Sequence, residues 1–570
     1  MTLFIIMSEI IKPLKGSYLS EKGYVVKISN LTDEELNTIK NDLSVTPAIM
    51  GGTQKDHDKL TYELFNINKK YISFPIYYGI HKFGIPKVDK FEPDKEKIKF
   101  TGTLRDYQVN IIKICKTHLD VHRGGLLVVP CGVGKTTMAI KIASLYGLKT
   151  LILTHKTFLQ DQWVKSIKKF TKSEVGIMRQ DIVDVEGKGF VVGMIQSLSK
   201  RNYDESILKQ FGLVICDECH HFASKSYAKA LSKVGARYTV GLSATPYRND
   251  GLMRVVNWYL GDIMFNKRQR TNNQVMVKNI TYYSDSDLFK EKKRYILGKT
   301  RPDSIKMLSN LVKIDSRNNN LINIINTLRK NPERKILILS DRKEHLIHLK
   351  TKVNEYIQLD IDSGKILENE CRTYLYTGDV KKNDRYEAET YADILFATYP
   401  MAHEGLDVPR LNTVILATSK KDVVQSVGRC LRNVLKEGDI RPLVINFIDY
   451  FSIYINQNNE RDDFFLESKY VQDHYFINDE KIMSEKKFFK NLDKQKDGMS
   501  KTKPKSFDEM LSIPLVDIID DSDTNRIDEQ DEIQAPRKKN HGKKTNEKCD
   551  IDPKSYRKKI SKDQINISMF

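Results

Sequence analysis

Between residues 129 and 137 the chain reads Val129-Pro130-Cys131-Gly132-Val133-Gly134-Lys135-Thr136-Thr137, residue types suited to holding a phosphate. Gly132 and Gly134 let the backbone curl until its N–H groups converge on an anion. Lys135 then brings mobile positive charge to the β- and γ-phosphates of a nucleotide, and the Thr136 hydroxyl stands where Mg²⁺ needs an oxygen ligand. The strict spacing of such a loop is broken at its first position, where Val129 replaces a glycine. A second group lies in Leu213-Val214-Ile215-Cys216-Asp217-Glu218-Cys219-His220, an apolar run ending in adjacent carboxylates. Asp217 can hold the Mg²⁺ shell, and Glu218 can polarise an attacking water.

These groups work only if the backbone brings them together. The apolar run 126–130 enters the loop, and a helix-like segment 138–146 leaves it and stops at Gly147. That is the strand–loop–helix setting a phosphate loop requires. Short β-branched runs recur at 150–154, 190–195, 213–216 and 238–243, separated by amphipathic, helix-length segments. After a break the alternation resumes at 335–340, 373–377, 394–399, 413–417 and 443–448. Buried strands alternating with helices predict parallel sheets, here two of them. At the C-terminal edge of the first, Asp217 and Glu218 would stand beside the phosphate loop.

A chain of 570 residues is too long for one ordinary core. The expected division is an accessory domain at 1–98, an ATP-binding lobe at 99–265, a connection at 266–304 and a second lobe at 305–455. An aromatic-rich extension at 456–500 is expected to pack on the second lobe, ahead of a charged tail at 501–570. In that tail an acidic stretch (517–532) gives way to a basic one (537–559), with too little apolar surface to fold alone. The net charge of +20 makes a polyanion the expected partner. No apolar run is long enough to span a bilayer, and Met1–Met7 lacks the basic flank of a secretory signal, so translation starting at Met7 is an alternative. Seven scattered cysteines point to a reducing compartment, the cytoplasm or the nucleus. Cys216 and Cys219 have Cys-x-x-Cys spacing, but they close an apolar run and no second pair follows, which argues against a zinc knuckle.

Taken in order, these motifs resemble those of the superfamily 2 helicases. Asp217-Glu218-Cys219-His220 resembles the DExH box, and Leu104-Arg105-Asp106-Tyr107-Gln108 the upstream adenine-reading element, with Gln108 as the contact. The resemblance makes Ser243-Ala244-Thr245 a coupling motif. It makes Thr154-His155-Lys156, Gln196-Ser197 and Arg248 nucleic-acid contacts of the first lobe, and Thr377-Gly378-Asp379 and Thr398 contacts of the second. Glu404-Gly405-Leu406-Asp407 and Gln425-Ser426-Val427-Gly428-Arg429-Cys430-Leu431-Arg432 resemble the last two motifs. In the family these reach the nucleotide, which brings Gly405, Asp407, Gln425, Arg429 and Arg432 into the site, the two arginines on γ-phosphate charge.

The pattern is most similar to the XPB- and UvsW-like branch. Asn249 stands where XPB-like proteins carry a glutamate, so the resemblance does not extend to that loop's unwinding role. Tyr78-Gly79 and Phe83-Gly84 ahead of the Leu-Arg-Asp-Tyr-Gln segment resemble helicases of large cytoplasmic DNA viruses, which in poxviruses include a transcript-release helicase. The resemblance implies an α/β fold with two tandem RecA-like lobes that use ATP and Mg²⁺ on DNA or RNA. It also implies 3′-to-5′ movement and, for a viral protein, host cytoplasm or virion and contact with the transcription machinery, with DNA repair or recombination as the alternative process. A duplex translocase, an RNA-specific helicase and a non-catalytic binding subunit stay open, although the intact Lys135, Glu218 and Arg432 argue against the last.

Overall fold

The computed structural model describes residues 12–48, 60–130, 132–245, 247–248, 250–267, 274–296, 299–404, 406, 408–428 and 438–493. Cys131, Asn249, Gly405, Asp407, Arg429, Arg432, the start at Met1–Met7 and the charged tail lie outside the described residues. Every apolar run expected in the first lobe becomes a strand of one eight-stranded sheet. Across the sheet the order is Phe190–Met194, Thr150–Thr154, Leu213–Asp217, Tyr238–Ser243 and Gly124–Val128, all parallel. Continuous apolar runs suit such strands because both faces are covered. Leu126 and Val128 point into one core and Leu127 into the other, the period-two alternation of a pleated strand. Ile263–Asn266 adds a further parallel strand beside Gly124–Val128.

The second lobe repeats the plan with Thr373–Tyr376, Ile394–Thr398, Ile336–Ser340, Thr413–Leu416 and Leu443–Asp449 in parallel order. The two lobes have the tandem RecA-like α/β architecture that the resemblance implies. This sheet, however, takes strands from outside 305–455. Met276–Tyr283 lies parallel between Leu443–Asp449 and Val471–Asn478, so strands from the expected connection and the expected extension belong to the lobe's sheet. Polar residues hid both strands from an apolar-pattern reading. Buried Lys278 donates to Asp473 at 3.2 Å and to the Tyr475 hydroxyl at 3.1 Å. Asn279 donates to Gln472 at 2.8 Å and accepts from Asn446 at 2.7 Å. Lys278 and Asn279 find partners on the neighbouring strands, so Met276–Tyr283 can be buried without the usual apolar signature, while Val471–Asn478 stays mostly half-buried at its side.

The N-terminal segment forms its own five-stranded sheet, but it shares a core with the first lobe. Phe74, Tyr77 and Tyr78 are buried in the same cluster as Val214 and Leu260. The Tyr77 and Thr239 hydroxyls are 2.9 Å apart, and Gly235 N–H donates to the Glu21 carbonyl at 2.9 Å. Gly124 is required at this junction, since a Cβ there would stand 2.1 Å from the Tyr77 hydroxyl. Among the described residues no helix is long and apolar enough to cross a membrane.

Candidate nucleotide site and strand-contact edge

Parallel pairing brings five separated segments to one edge of the first sheet. The residues that follow Phe190–Met194 and Thr150–Thr154 are the nucleic-acid-contact candidates Gln196-Ser197 and His155-Lys156. Those ending Tyr238–Ser243 and following Gly124–Val128 are the coupling segment and the phosphate loop. The Leu213–Asp217 strand lies between the two halves, and it delivers Asp217 and Glu218.

Buried Val129 and Pro130 lead into the loop, Val133 is buried within it, and Thr136 and Thr137 are half-buried on the first turn of Lys135–Tyr146. Gly132 and Gly134 have φ of +81° and +95°, the left-handed region that favours glycine. Gly134 is doubly constrained, because a Cβ there would meet Gln108 Nε2 at 2.3 Å. Gln108 itself is buried, donates to the Val133 carbonyl at 2.8 Å and accepts from Arg105 N–H at 3.0 Å. The structure thus places Gln108 against the phosphate loop.

Lys135 Nζ stands 3.5 Å from Glu218 Oε1, with side chains 12 % and 13 % exposed. Glu218 has φ +47°, a left-handed conformation that costs a non-glycine residue about 1–2 kcal/mol and turns the chain sharply off the sheet edge. Asp217 accepts from Trp163 Nε1 at 2.8 Å and from the Glu218 N–H at 3.1 Å. Burial, then the neighbouring Glu218, raises the Asp217 carboxyl above the usual range. The loop N–H groups, a lysine, hydroxyls and two carboxylates form a donor set that fits a nucleotide triphosphate with a hard divalent cation.

His220 stands 3.5 Å from Glu218 and 3.0 Å from the Ser243 hydroxyl, which ties the DExH turn to the coupling segment. Ser243 in turn accepts from Thr245 N–H at 3.1 Å, and Ala244 is buried between them. The His221 ring lies 4.2 Å from that of His220 and 4.4 Å from that of His155, joining the two halves of the edge. Burial, then the neighbouring imidazoles, pushes His221 down to about 3. Gln196 donates to the His155 carbonyl at 2.7 Å and to the Tyr227 hydroxyl at 2.9 Å. Thr154 is buried and directed at Met194, Ser197 accepts from Gln180 N–H at 2.9 Å, and burial lowers Lys156. Trp163, His221 and Tyr227 escape a reading by motif, since each acts across tens of residues with no local spacing to mark it.

Arg248 is turned inward, pairing with Asp250 and donating to the His220 carbonyl. It braces the DExH turn. In the second lobe Thr377 is buried and donates to Asp379 at 2.6 Å, Gly378 borders open space, and Thr398 ends its strand half-buried. The structure brings Gln425 to the helix Val424–Gly428.

Two family models match the chain. The one described as type III restriction enzyme, res subunit, covers residues 101–248, and the helicase conserved C-terminal domain covers residues 316–434. The chain is 34 % identical over 522 residues to the "Putative ATP-dependent RNA helicase L396" of Acanthamoeba polyphaga mimivirus, spanning 88 % of this chain and 98 % of the relative. It is 27 % identical over 373 residues to "Putative helicase 161L" of Invertebrate iridescent virus 6, spanning 62 % of this chain and 78 % of the relative. Identity to the "DNA 3'-5' translocase XPB2" of Sulfurisphaera tokodaii is 28 % over 373 residues, spanning 60 % of this chain and 81 % of the relative. With the two-lobed fold and the motifs at one sheet edge, these matches show that the chain belongs to the superfamily 2 helicases, related to those of large DNA viruses, and is an ATP-hydrolysing nucleic-acid helicase or translocase.

Proposed function

We propose that the chain travels 3′ to 5′ on a nucleic-acid strand and separates duplexes ahead of it, by closing and reopening its two lobes with each ATP. The observation that carries this reading is the order along the first sheet edge, with strand-contact candidates on one half, phosphate loop on the other and Glu218 between. In this reading Lys135 and the loop N–H groups hold the β- and γ-phosphates, and Gln108 keeps the loop in shape and contacts the adenine. Glu218 orients the attacking water and takes its proton. Thr136 and Asp217 hold Mg²⁺, which when bound neutralises phosphate charge. Gly405, Asp407, Gln425, Arg429 and Arg432 meet the nucleotide from the second lobe, and departure of the γ-phosphate reopens the cleft. Thr154, His155, Lys156, Gln196, Ser197, Thr377, Gly378 and Thr398 hold backbone phosphates, which makes binding sequence-tolerant and salt-dependent.

The mimivirus relative is named for RNA and the archaeal one for 3′-to-5′ DNA translocation, so both polymers are tested. We assign the chain a role beside the transcription machinery in the cytoplasm, as in transcript release. The domain division follows the sequence reading, with Met276–Tyr283 and 471–483 moved to the second lobe on the support of the sheet pairing. A strand-displacement assay with tailed DNA, RNA and hybrid duplexes tests the reading, with Lys135→Ala as control. ATP-dependent displacement from 3′ tails and none from 5′ tails is expected. Displacement of a triplex third strand without duplex separation would make the protein a duplex translocase instead.

A further inference from the structure

Lys293–Ile296 pairs antiparallel with Lys299–Pro302 as a two-stranded hairpin outside the large sheets. It follows Met276–Tyr283, which runs parallel to the other strands of the second lobe, and so leaves that sheet at its C-terminal edge. Thr377 and Thr398 stand on the same edge. The hairpin base is tied there as well. Arg342 donates to the Ile305 carbonyl at 3.0 Å and Tyr454 to the Ser304 carbonyl at 2.9 Å, and Lys343, next to Arg342, pairs with Asp379.

The composition of this hairpin does not serve its own stability. Between residues 290 and 301 the chain carries Lys290, Lys292, Lys293, Arg294, Lys299 and Arg301 against a single acid, Glu291. The register sets Arg294 directly opposite Arg301, a like-charge pair that weakens a two-stranded ladder. Among the described residues neither arginine has a side-chain partner, while Glu291 is engaged with Lys293 at 3.4 Å and with Ser452. Tyr295 is 75 % exposed, so its ring adds nothing to a core. Paired guanidinium groups need a polyanion, and an exposed ring beside them suits the face of a base.

We propose that the 293–302 hairpin grips single-stranded nucleic acid for the second lobe, Arg294 and Arg301 meeting phosphates and Tyr295 stacking on an unpaired base. The proposal rests on the helicase reading above and adds to it a grip on the strand that lies outside every family motif. Alternation puts the arginine pair on one face of the hairpin and Tyr295 on the other, which makes the two interactions separable. A single strand is required because a base inside a duplex offers no free face.

The test uses the full chain, labelled oligothymidylate and oligouridylate, and anisotropy titrations over a range of salt. Arg294→Ala/Arg301→Ala should flatten the slope of log affinity against log salt by about 1.4, roughly 0.7 for each phosphate no longer neutralised. Tyr295→Ala should weaken binding about 5- to 150-fold with the slope unchanged, and Tyr295→Phe should keep full affinity. Basal ATPase should persist in all three variants. Wild-type affinity and slope in both alanine variants would overturn the proposal while leaving the helicase reading intact, and would make the hairpin a surface for another partner such as an acidic protein. Failure of the unmodified chain to bind either oligonucleotide would overturn both.

Discussion

In the second lobe Arg317 and Asp449 are fully buried and joined by two hydrogen bonds of 2.7 and 2.9 Å, and Arg317 also donates to the Ala417 carbonyl and lies over the Phe447 ring. In the first lobe Lys135 and Glu218 stand 3.5 Å apart and partly exposed, at the equivalent edge of an equivalent sheet. The closed pair crosses from the helix Asp315–Arg329 to the strand Leu443–Asp449 and locks one onto the other. The open pair spans a loop whose glycines and helix N-terminus are shaped for an anion that can enter between the two charges. A buried ion pair held by two short bonds holds structure, and one left longer at a sheet edge leaves room for chemistry.

The largest effect expected from this contrast is on turnover. Lys135→Ala should lower steady-state ATPase on the order of a thousandfold, and Glu218→Gln at least a hundredfold, both with a near-normal melting temperature. Glu218→Gln should still bind a non-hydrolysable ATP analogue. A collapse in stability alongside activity would break the comparison, because the open pair would then be structural too.

Arg317→Met should do the reverse. Stranding Asp449 in the core costs about 3–5 kcal/mol in chemical denaturation, whereas Arg317→Met/Asp449→Leu should recover most of that stability. An additive double variant would show that the two residues act separately.

Acidification sharpens the contrast further. His345 is buried, donates from Nε2 to Asn318 and accepts from the Ser340 hydroxyl, and burial lowers it well below the ordinary histidine value. Burial lowers His155, His220 and His221 in the first lobe as well. Each imidazole takes a proton less readily when folded than when unfolded. Stability from these groups is present above about pH 6.5 and is lost as pH falls below it, by up to about 1.4 kcal/mol per pH unit for each. Thermal melts between pH 7.5 and 5 should fall with acid, and a rise would contradict the burial of these rings.

The smallest effect is expected at Trp163. Trp163→Phe removes the donor to Asp217 and should cost about 1–3 kcal/mol in stability, with a severalfold fall in turnover and nucleotide binding retained. Retained turnover would show that Glu218 N–H alone holds the carboxylate.

The linear chain determined much of this protein, because its strongest signals are local. An apolar run followed by Gly-x-Gly-Lys-Thr, or ending in Asp-Glu, carries strand, turn and chemistry within a few residues, so most strands of both sheets and the phosphate loop were legible from local pattern, and the DExH segment from its resemblance. Met276–Tyr283 and Val471–Asn478 were not, since Lys278 and Asn279 look solvent-facing until their partners on the neighbouring strand are known, and the second strand is mostly polar. The inward turn of Arg248 likewise depended on Asp250 and the His220 carbonyl, and the stack of His155, His220 and His221 on the order of strands across a sheet. Only the tertiary structure decided these, because whether a polar side chain is buried or free is set by groups distant in sequence that supply or withhold its hydrogen bonds.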